Sequence, residues 1–497
     1  MATVNLGKIK PLWRGEYNSS ATYRPLDFVS FNNETYINIL ESTGIVPTNA
    51  TYFEKVVQPD NIVHAPGSGL PNELSANIVP FNNAGTSLSS VDVQNAIVET
   101  NNRISDFELH ADVAWTIYDN VTGAYDTRGS GAVQAHTNMR RCVLNDNGTV
   151  NYYLDSNNSE LKDDGVTASV LDGTDGQVMV EIPRTWFRLE QRGNKTLYAV
   201  THRERAGFQL HPVFCDNAGN PIYSHVYAAA YDASVFDVSA GTYIDGLNLD
   251  NNTGRVSTAN DKLASVSGRF PMVGLTRNDF RLIAANRGTG WQLTDFWERD
   301  LIKLLFVTEY GNWNSQAVVG DGNVNRSYVG SSSNQSDSPH VVAGVSNVLG
   351  NQTGAAVSPD PYVSYRGLEN LWGNCWNWQD GINLLDRQAY INNEAATFAD
   401  NTANGYLTLG VSLPVASASF IKGLQPLEKG LLPATVGGSS STFIADAMWT
   451  ATGWRVVLVG GHADLGGRAG VSAFGGNFGS SERRRNFGSR LTYKKLV

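Results

Sequence analysis

Between Trp449 and Arg485 the chain alternates aromatic rings (Trp454, Phe474, Phe478), amide and hydroxyl groups (Asn477, Ser480, Ser481) and arginines (Arg468, Arg483, Arg484) on a glycine-rich frame. Ring faces stack on sugars or apolar protein patches, and amides, hydroxyls and guanidinium groups add directional hydrogen bonds. The chemistry is recognition, not bond making. The competing assignment puts Trp454, Phe474 and Phe487 in a core and pairs the arginines with acidic neighbours; the polar stretch 477–484 is expected to be exposed.

Catalytic chemistry has little support. The eight histidines show no HxH, HxxxH or HExxH spacing, so no zinc site is written here. No GxSxG elbow and no glycine-rich loop running into Lys-Ser/Thr is present. Cys142, Cys215 and Cys375 are odd in number and far apart, which fits buried free thiols better than a disulfide framework. Asp and Glu are plentiful, which leaves a glycosidase carboxylate pair open. Calcium is the one cofactor the carboxylate clusters leave open, at Asp163-Asp164, Asp172 to Gly176 and Asp250 to Gly254. None has EF-hand spacing, and Asx turns account for all three equally well. The expectation is a protein that is not an enzyme and holds no metal.

A surface of that kind needs a scaffold, and the scaffold is written in Tyr365 to Gly381, where Trp372, Trp376 and Trp378 sit among Gly367, Gly373 and Gly381. Glycines open backbone conformations closed to other residues, and each tryptophan brings a large apolar area with one N–H donor. The three tryptophans are expected to be structural core. The run Gly373-Asn-Cys-Trp-Asn-Trp378 resembles the signature of the formylglycine-generating (sulfatase-modifying) enzyme family, a variant of the C-type lectin fold. The glycine-rich layout of 453–493 resembles the end of such lectin-like domains, phage tropism determinants included. This resemblance implies a core strand at the end of the domain with ligand residues displayed just before it. Family enzymes need a reactive cysteine pair near that end, whereas no cysteine follows Cys375 here. The family's activity is therefore not carried over.

The 497 residues carry a formal charge of −10 with 17% charged residues and 49 glycines. The acidity argues against a nucleic-acid partner, although Arg483-Arg484-Arg485, Arg490, Lys494 and Lys495 form a local basic cluster, assigned to a solvated or inter-subunit surface. No apolar run approaches the about 18 residues of a membrane span, and the N-terminus has no apolar signal core. A soluble protein made in the cytoplasm, without membrane insertion, is expected.

Residues 1–57 alternate aromatic and polar positions over short runs, the period of small strands. Their Trp13, Gly15, Tyr17, Tyr23, Asp27, Val29 and Tyr36 resemble the layout of chitin-binding type 5/12 carbohydrate modules; the same aromatics would equally serve as the core of a mini-domain that attaches to another protein. Residues 58–87, rich in Pro, Gly, Asn and Ser, read as a linker. In 88–110, Val93, Ile97, Thr100, Ile104 and Phe107 take heptad a and d spacing. The segment resembles the short trimerisation helices of phage tail fibres; a lone helix packing on its own domain is the alternative. Residues 112–497 read as one large lectin-like domain, with a hairpin around Asp146-Asn-Gly148, a strand over 177–188 and a helix over 294–311.

The expected fold class is thus α+β and loop-rich: small N-terminal β module, short coiled-coil helix, large C-type-lectin-like domain. That order resembles a phage tail fibre or tail-tip protein, a virion component. It implies attachment to a bacterial surface receptor (glycan or outer-membrane protein) through the C-terminal domain, contact with other tail proteins through the N-terminal region, and a homotrimer. The rival readings are a glycan-active enzyme, such as a polysaccharide depolymerase, and a bacterial glycan-binding protein.

Overall fold

The computed structural model describes residues 12–32, 34–56, 110–126, 129–328, 330, 333–334, 337–425, 430–441 and 444–497. They belong to two compact units, Met1–Leu109 and His110–Val497. The linker and the heptad positions Val93, Ile97, Thr100, Ile104 and Phe107 lie outside the described residues.

The fold class is mainly β, which corrects the α+β expectation: strand accounts for 37% and helix for 11%. Among the described residues, just two helices exceed one turn, Arg277–Ala285 and Phe296–Tyr310. The physical reason is the density of turn-forming Gly and Asn, which keeps apolar runs too short for helices.

In the N-terminal unit the strands Leu12–Glu16, Asp27–Phe31, Glu34–Asn38 and Phe53–Val56 form one sheet in that order. Tyr23, Val29, Tyr36 and Phe53 are its core, and Tyr17 packs on Tyr23 and Phe31. A module this small has few apolar side chains to spare. Tyr23 and Tyr36 are therefore core members with no ring face for a ligand, Tyr17 is half-buried, and Trp13 is 54% exposed.

In the large unit, the strands Val150–Tyr153, Arg140–Leu144, Gln177–Pro183, Tyr223–Ala229, Leu491–Leu496 and Trp291–Leu293 make a six-stranded antiparallel sheet in that order. The turn at 145–149 joins its first two strands, with Gly148 at φ +79°. The expected strand over 177–188 is instead two: after Pro183 the chain leaves this sheet, and Trp186–Arg192 enters a second one beside Lys195–Thr201. Proline cannot donate to a ladder, so it suits the last position before the switch.

Helix Phe296–Tyr310 is the centre of the main core, packed on Val113–Asp119, Lys195–Thr201 and Trp376–Leu385. It begins two residues inside the expected span 294–311: the Asp295 carboxylate caps it, accepting from Glu298 N, and Gly311 closes it at φ +63°. All but its last residue are buried, charged ones included. Buried charges need partners. Arg299 donates to Leu371 O (2.6 Å), Lys303 to Leu431 O (2.9 Å), and Asp300 faces His211 (3.1 Å).

The third sheet, nine-stranded, carries the tryptophan segment. Strand Trp376–Leu385 lies between Gln388–Ile391 and Trp454–Val459, and the latter pairs with Phe474–Phe478. Trp372 and Trp378 are fully buried and Trp376 is 5% exposed. Trp372 Nε1 donates to Gly320 O and Trp378 Nε1 to Leu275 O, each at 3.2 Å. Asn374, at φ +56°, accepts from Val341 N and Asn323 Nδ2 and donates to Asp232, welding three loops together. Gly373 is required at φ +74°, because a Cβ there would meet Asn323 O at 2.6 Å. All three cysteines are free and buried.

Candidate binding surface

The two strands flanking Trp454–Val459 both carry a bulge at the level of Val456 and Val457. On one side Gln379 pairs with Val457 but Asn383 with Val456; on the other Val456 pairs with Phe478 but Leu458 with Gly475. An odd number of inserted residues swaps the faces of a strand. Trp376 and Trp378 accordingly pack in one core while Ile382 and Leu384 pack in the other. Phe474 is likewise sent into the main core at 3% exposure, while Phe478 turns half-buried to the opposite face. Phe474 is thus removed from the expected binding set. Its ring has no free face.

The segment 479–486 begins at Phe478 and ends at Phe487, whose rings meet edge to face at 4.8 Å; Phe487 in turn packs on Trp378 at 5.2 Å. Its backbone is tied to three other parts of the unit. Arg485 N donates to Asp250 Oδ1 (3.0 Å), Gly274 N to Arg484 O (3.0 Å), and Trp376 N to Asn486 O (2.9 Å). The result is a fixed loop that holds Ser481, Arg483 and Arg484 in solvent, with Asn477 and Ser480 half-buried beneath. Arg484 lies over the Phe478 ring at 4.9 Å and 3.5 Å from Glu482. Arg483 has no ion pair among the described residues.

Arg485 reaches the other way, its guanidinium 5.5 Å from the Tyr328 ring centroid. Tyr328 Oη and His340 Nε2 are 3.0 Å apart, and His462 packs on both Tyr328 and Trp376. Burial pushes His340 down to about 3 and His462 down to about 4, so both rings are neutral, and the charges beside them are those of Arg485 and Asp464. Two polar atoms here are buried without a partner among the described residues, Asn477 Oδ1 and Arg485 Nη1. An unmet buried acceptor and an unmet buried donor are each costly unless something supplies the other half.

Sequence reasoning brought together Asn477, Phe478, Ser480, Ser481, Arg483 and Arg484, which form one continuous stretch, the end of the strand Phe474–Phe478 and the loop after it. It missed Tyr328, His340 and His462, which lie far away in the chain and follow no spacing rule. Trp454 packs on Tyr390 at 6.1 Å, two residues before the partner of Phe478, and the exposed Arg468 sits on the turn Gly466–Arg468; among the described residues no recorded contact joins either to the 479–486 loop. The acidic clusters weighed for calcium are engaged in turns: Asp164 accepts from Val166 N and Thr167 N, Asp172 from Thr174 N, and Asn251 from Thr253 N.

No protein-family model matches the chain, and no curated protein does. Weak structural neighbours are variants of the Major Tropism Determinant. The U1 variant is 13% identical, covers 74% of this chain and 74% of its own, and has a TM-score of 0.24. The M1 variant is 11% identical over 98% of this chain and 100% of its own, also at 0.24. PvdO from Pseudomonas aeruginosa is 13% identical over 65% of this chain and 97% of its own, at 0.26.

Proposed function

We propose that this chain is an attachment protein of a phage tail, which grips a bacterial surface receptor through the loop 477–485 of its large unit and acts by binding, not catalysis. The observation that carries the binding role is the fixed loop itself, which holds exposed arginines and a serine over a half-buried phenylalanine. Such a surface offers hydrogen-bond donors and acceptors and positive charge together, which suits a glycan or an outer-membrane protein. The placement on a phage tail rests on the module order and motif resemblances in the sequence. In this reading the N-terminal unit joins other tail proteins or adds glycan affinity, and the heptad segment 88–110 sets a homotrimer whose three loops turn weak contacts into durable attachment.

The test is adsorption of the purified full chain to a panel of bacterial strains. Changing Asn477, Phe478, Arg483 and Arg484 to alanine should abolish adsorption and leave the oligomeric state and circular dichroism unchanged. Undiminished adsorption by that folded variant would place the receptor contact elsewhere. Loss of capsule or lipopolysaccharide on incubation would instead favour a depolymerase.

A further inference from the structure

A concave surface lies in the same unit and involves none of the loop 477–485. It is an open groove of about 590 Å³ between the 172–177 loop, the hairpin formed by Ser234–Asp237 and Thr242–Ile244, and the turn at Asn145 and Asp146. That volume is within the range of ligand sites, about 300–1,000 Å³. Phe236 and Tyr243, both half-buried, contribute an aromatic pair with centroids 5.0 Å apart.

The groove is built, not incidental. Gly173 stands at φ +95°, and a Cβ there would come within 2.0 Å of Tyr243 Oη, so glycine is what lets the loop seat against the hairpin. Tyr152 Oη donates to Asp175 Oδ2 at 2.8 Å, and Asp172 Oδ1 accepts from Thr174 N at 2.9 Å, which fixes both carboxylates. Lys262 Nζ lies 3.2 Å from Asp146 Oδ2, with Arg287 bonded to the other oxygen of the same carboxylate.

The lining decides the ligand class. Three acids (Asp146, Asp172, Asp175) and three bases (Lys262, Arg269, Arg287) line the groove; Lys262 and Arg287 sit on Asp146 and Arg269 lies 3.6 Å from Asp245, so no positive charge there is left uncompensated. A phosphate or a uronate would gain no net attraction, and neither would a polyamine; an apolar ligand would strand the charges. A neutral molecule with many hydroxyls satisfies both sets at once, because each hydroxyl donates to a carboxylate and accepts from an ammonium or guanidinium, while its C–H faces rest on the aromatic rings.

We propose that this groove binds an uncharged oligosaccharide, as a site separate from the loop 477–485 and independent of what that loop grips. The full chain is applied to an array of neutral hexose oligosaccharides (maltose, cellobiose and galactobiose series) beside sialylated, uronate and phosphorylated ones. Retention of at least one neutral series is expected. Thr174→Trp, at an exposed lining position, should fill the groove and lower that affinity at least tenfold, and Asp172→Asn should lower it by a smaller factor. The alanine variant of the loop 477–485 should keep it unchanged. Binding confined to charged glycans, no binding to any neutral series, or equal binding by Thr174→Trp and the parent chain would each overturn the proposal.

Discussion

Lys494 Nζ lies 2.5 Å from Asp295 Oδ2, and both side chains are 1% exposed. The pair joins the strand Leu491–Leu496 to the cap of the central helix, since Asp295 Oδ1 accepts from Glu298 N (2.9 Å) and Oδ2 also accepts from Gln292 Nε2 (2.8 Å). One carboxylate thus serves as helix cap, counter-ion and sheet anchor. Removing one member of such a pair leaves a buried charge without compensation. Lys494→Met should therefore destabilise the large unit by about 3–5 kcal/mol, read as a lowered denaturation midpoint in urea. A loss below about 1 kcal/mol, the value for surface pairs, would show that the pair is solvated.

Core position makes a second expectation for the tryptophans. Trp378 is fully buried against Phe487, and its N–H is satisfied by Leu275 O. Trp378→Ala should cost about 3–5 kcal/mol, and Trp376→Ala, at 5% exposure, should fall in the same range and reduce the yield of folded protein. Because Trp378 supports Phe487 and so the end of the 479–486 segment, any folded Trp378→Ala protein should also lose receptor adsorption. Normal stability in either variant would contradict the core assignment.

The buried acids give a pH dependence of definite sign. Burial, reinforced by the neighbouring Asp295, pushes Glu298 up to about 8, and burial pushes Asp446 up to about 8 despite the Ser472 N–H bonded to it. A carboxyl whose pKa is raised on folding holds its proton in the folded chain after the unfolded chain has lost it. Its contribution is full below the unfolded value, about 4, and is lost as pH rises toward about 8. Each group should lower stability by up to about 1.4 kcal/mol per pH unit in that window. Urea denaturation at pH 5, 6, 7 and 8 should show the fall, and Glu298→Gln should flatten part of it. A parent chain whose urea midpoint is the same at all four pH values would refute the assignment.

Assembly is tested by mass. Light scattering or analytical ultracentrifugation of the full chain at micromolar concentration should return three copies, and Ile97→Asp with Ile104→Asp should return one. A monomeric parent chain would sink the trimer.

Where the sequence was informative, a single local rule decided the outcome. The helix Phe296–Tyr310 was legible within the expected span 294–311 because an acidic first turn and a closing glycine bracket it. The burial of Trp372, Trp376 and Trp378 was legible from glycines that only close packing needs. Phe474 was not, because its side is set by a bulge opposite Val456 to Leu458, and a bulge is a property of two paired strands that neither strand records alone. The fold class was misjudged for a related reason: two helical patterns stand out in the text, while the many short strands around them are dominated by turn residues. The groove was illegible because its lining comes from stretches far apart in the chain, 145–146, 172–177 and 236–243 with the single residues Lys262, Arg269 and Arg287, and no spacing rule links them.

The position of Leu491–Leu496 between Tyr223–Ala229 and Trp291–Leu293 has a kinetic side. Synthesis delivers this interior strand after every other strand of its sheet, so the two neighbours wait with open edges until residues 491–496 arrive. Closing those pairings spans some 200 to 270 residues of intervening chain, and such distant contacts fold slowly. Until residues 491–496 have been made the large unit is thus unlatched, and this strand works as the bolt.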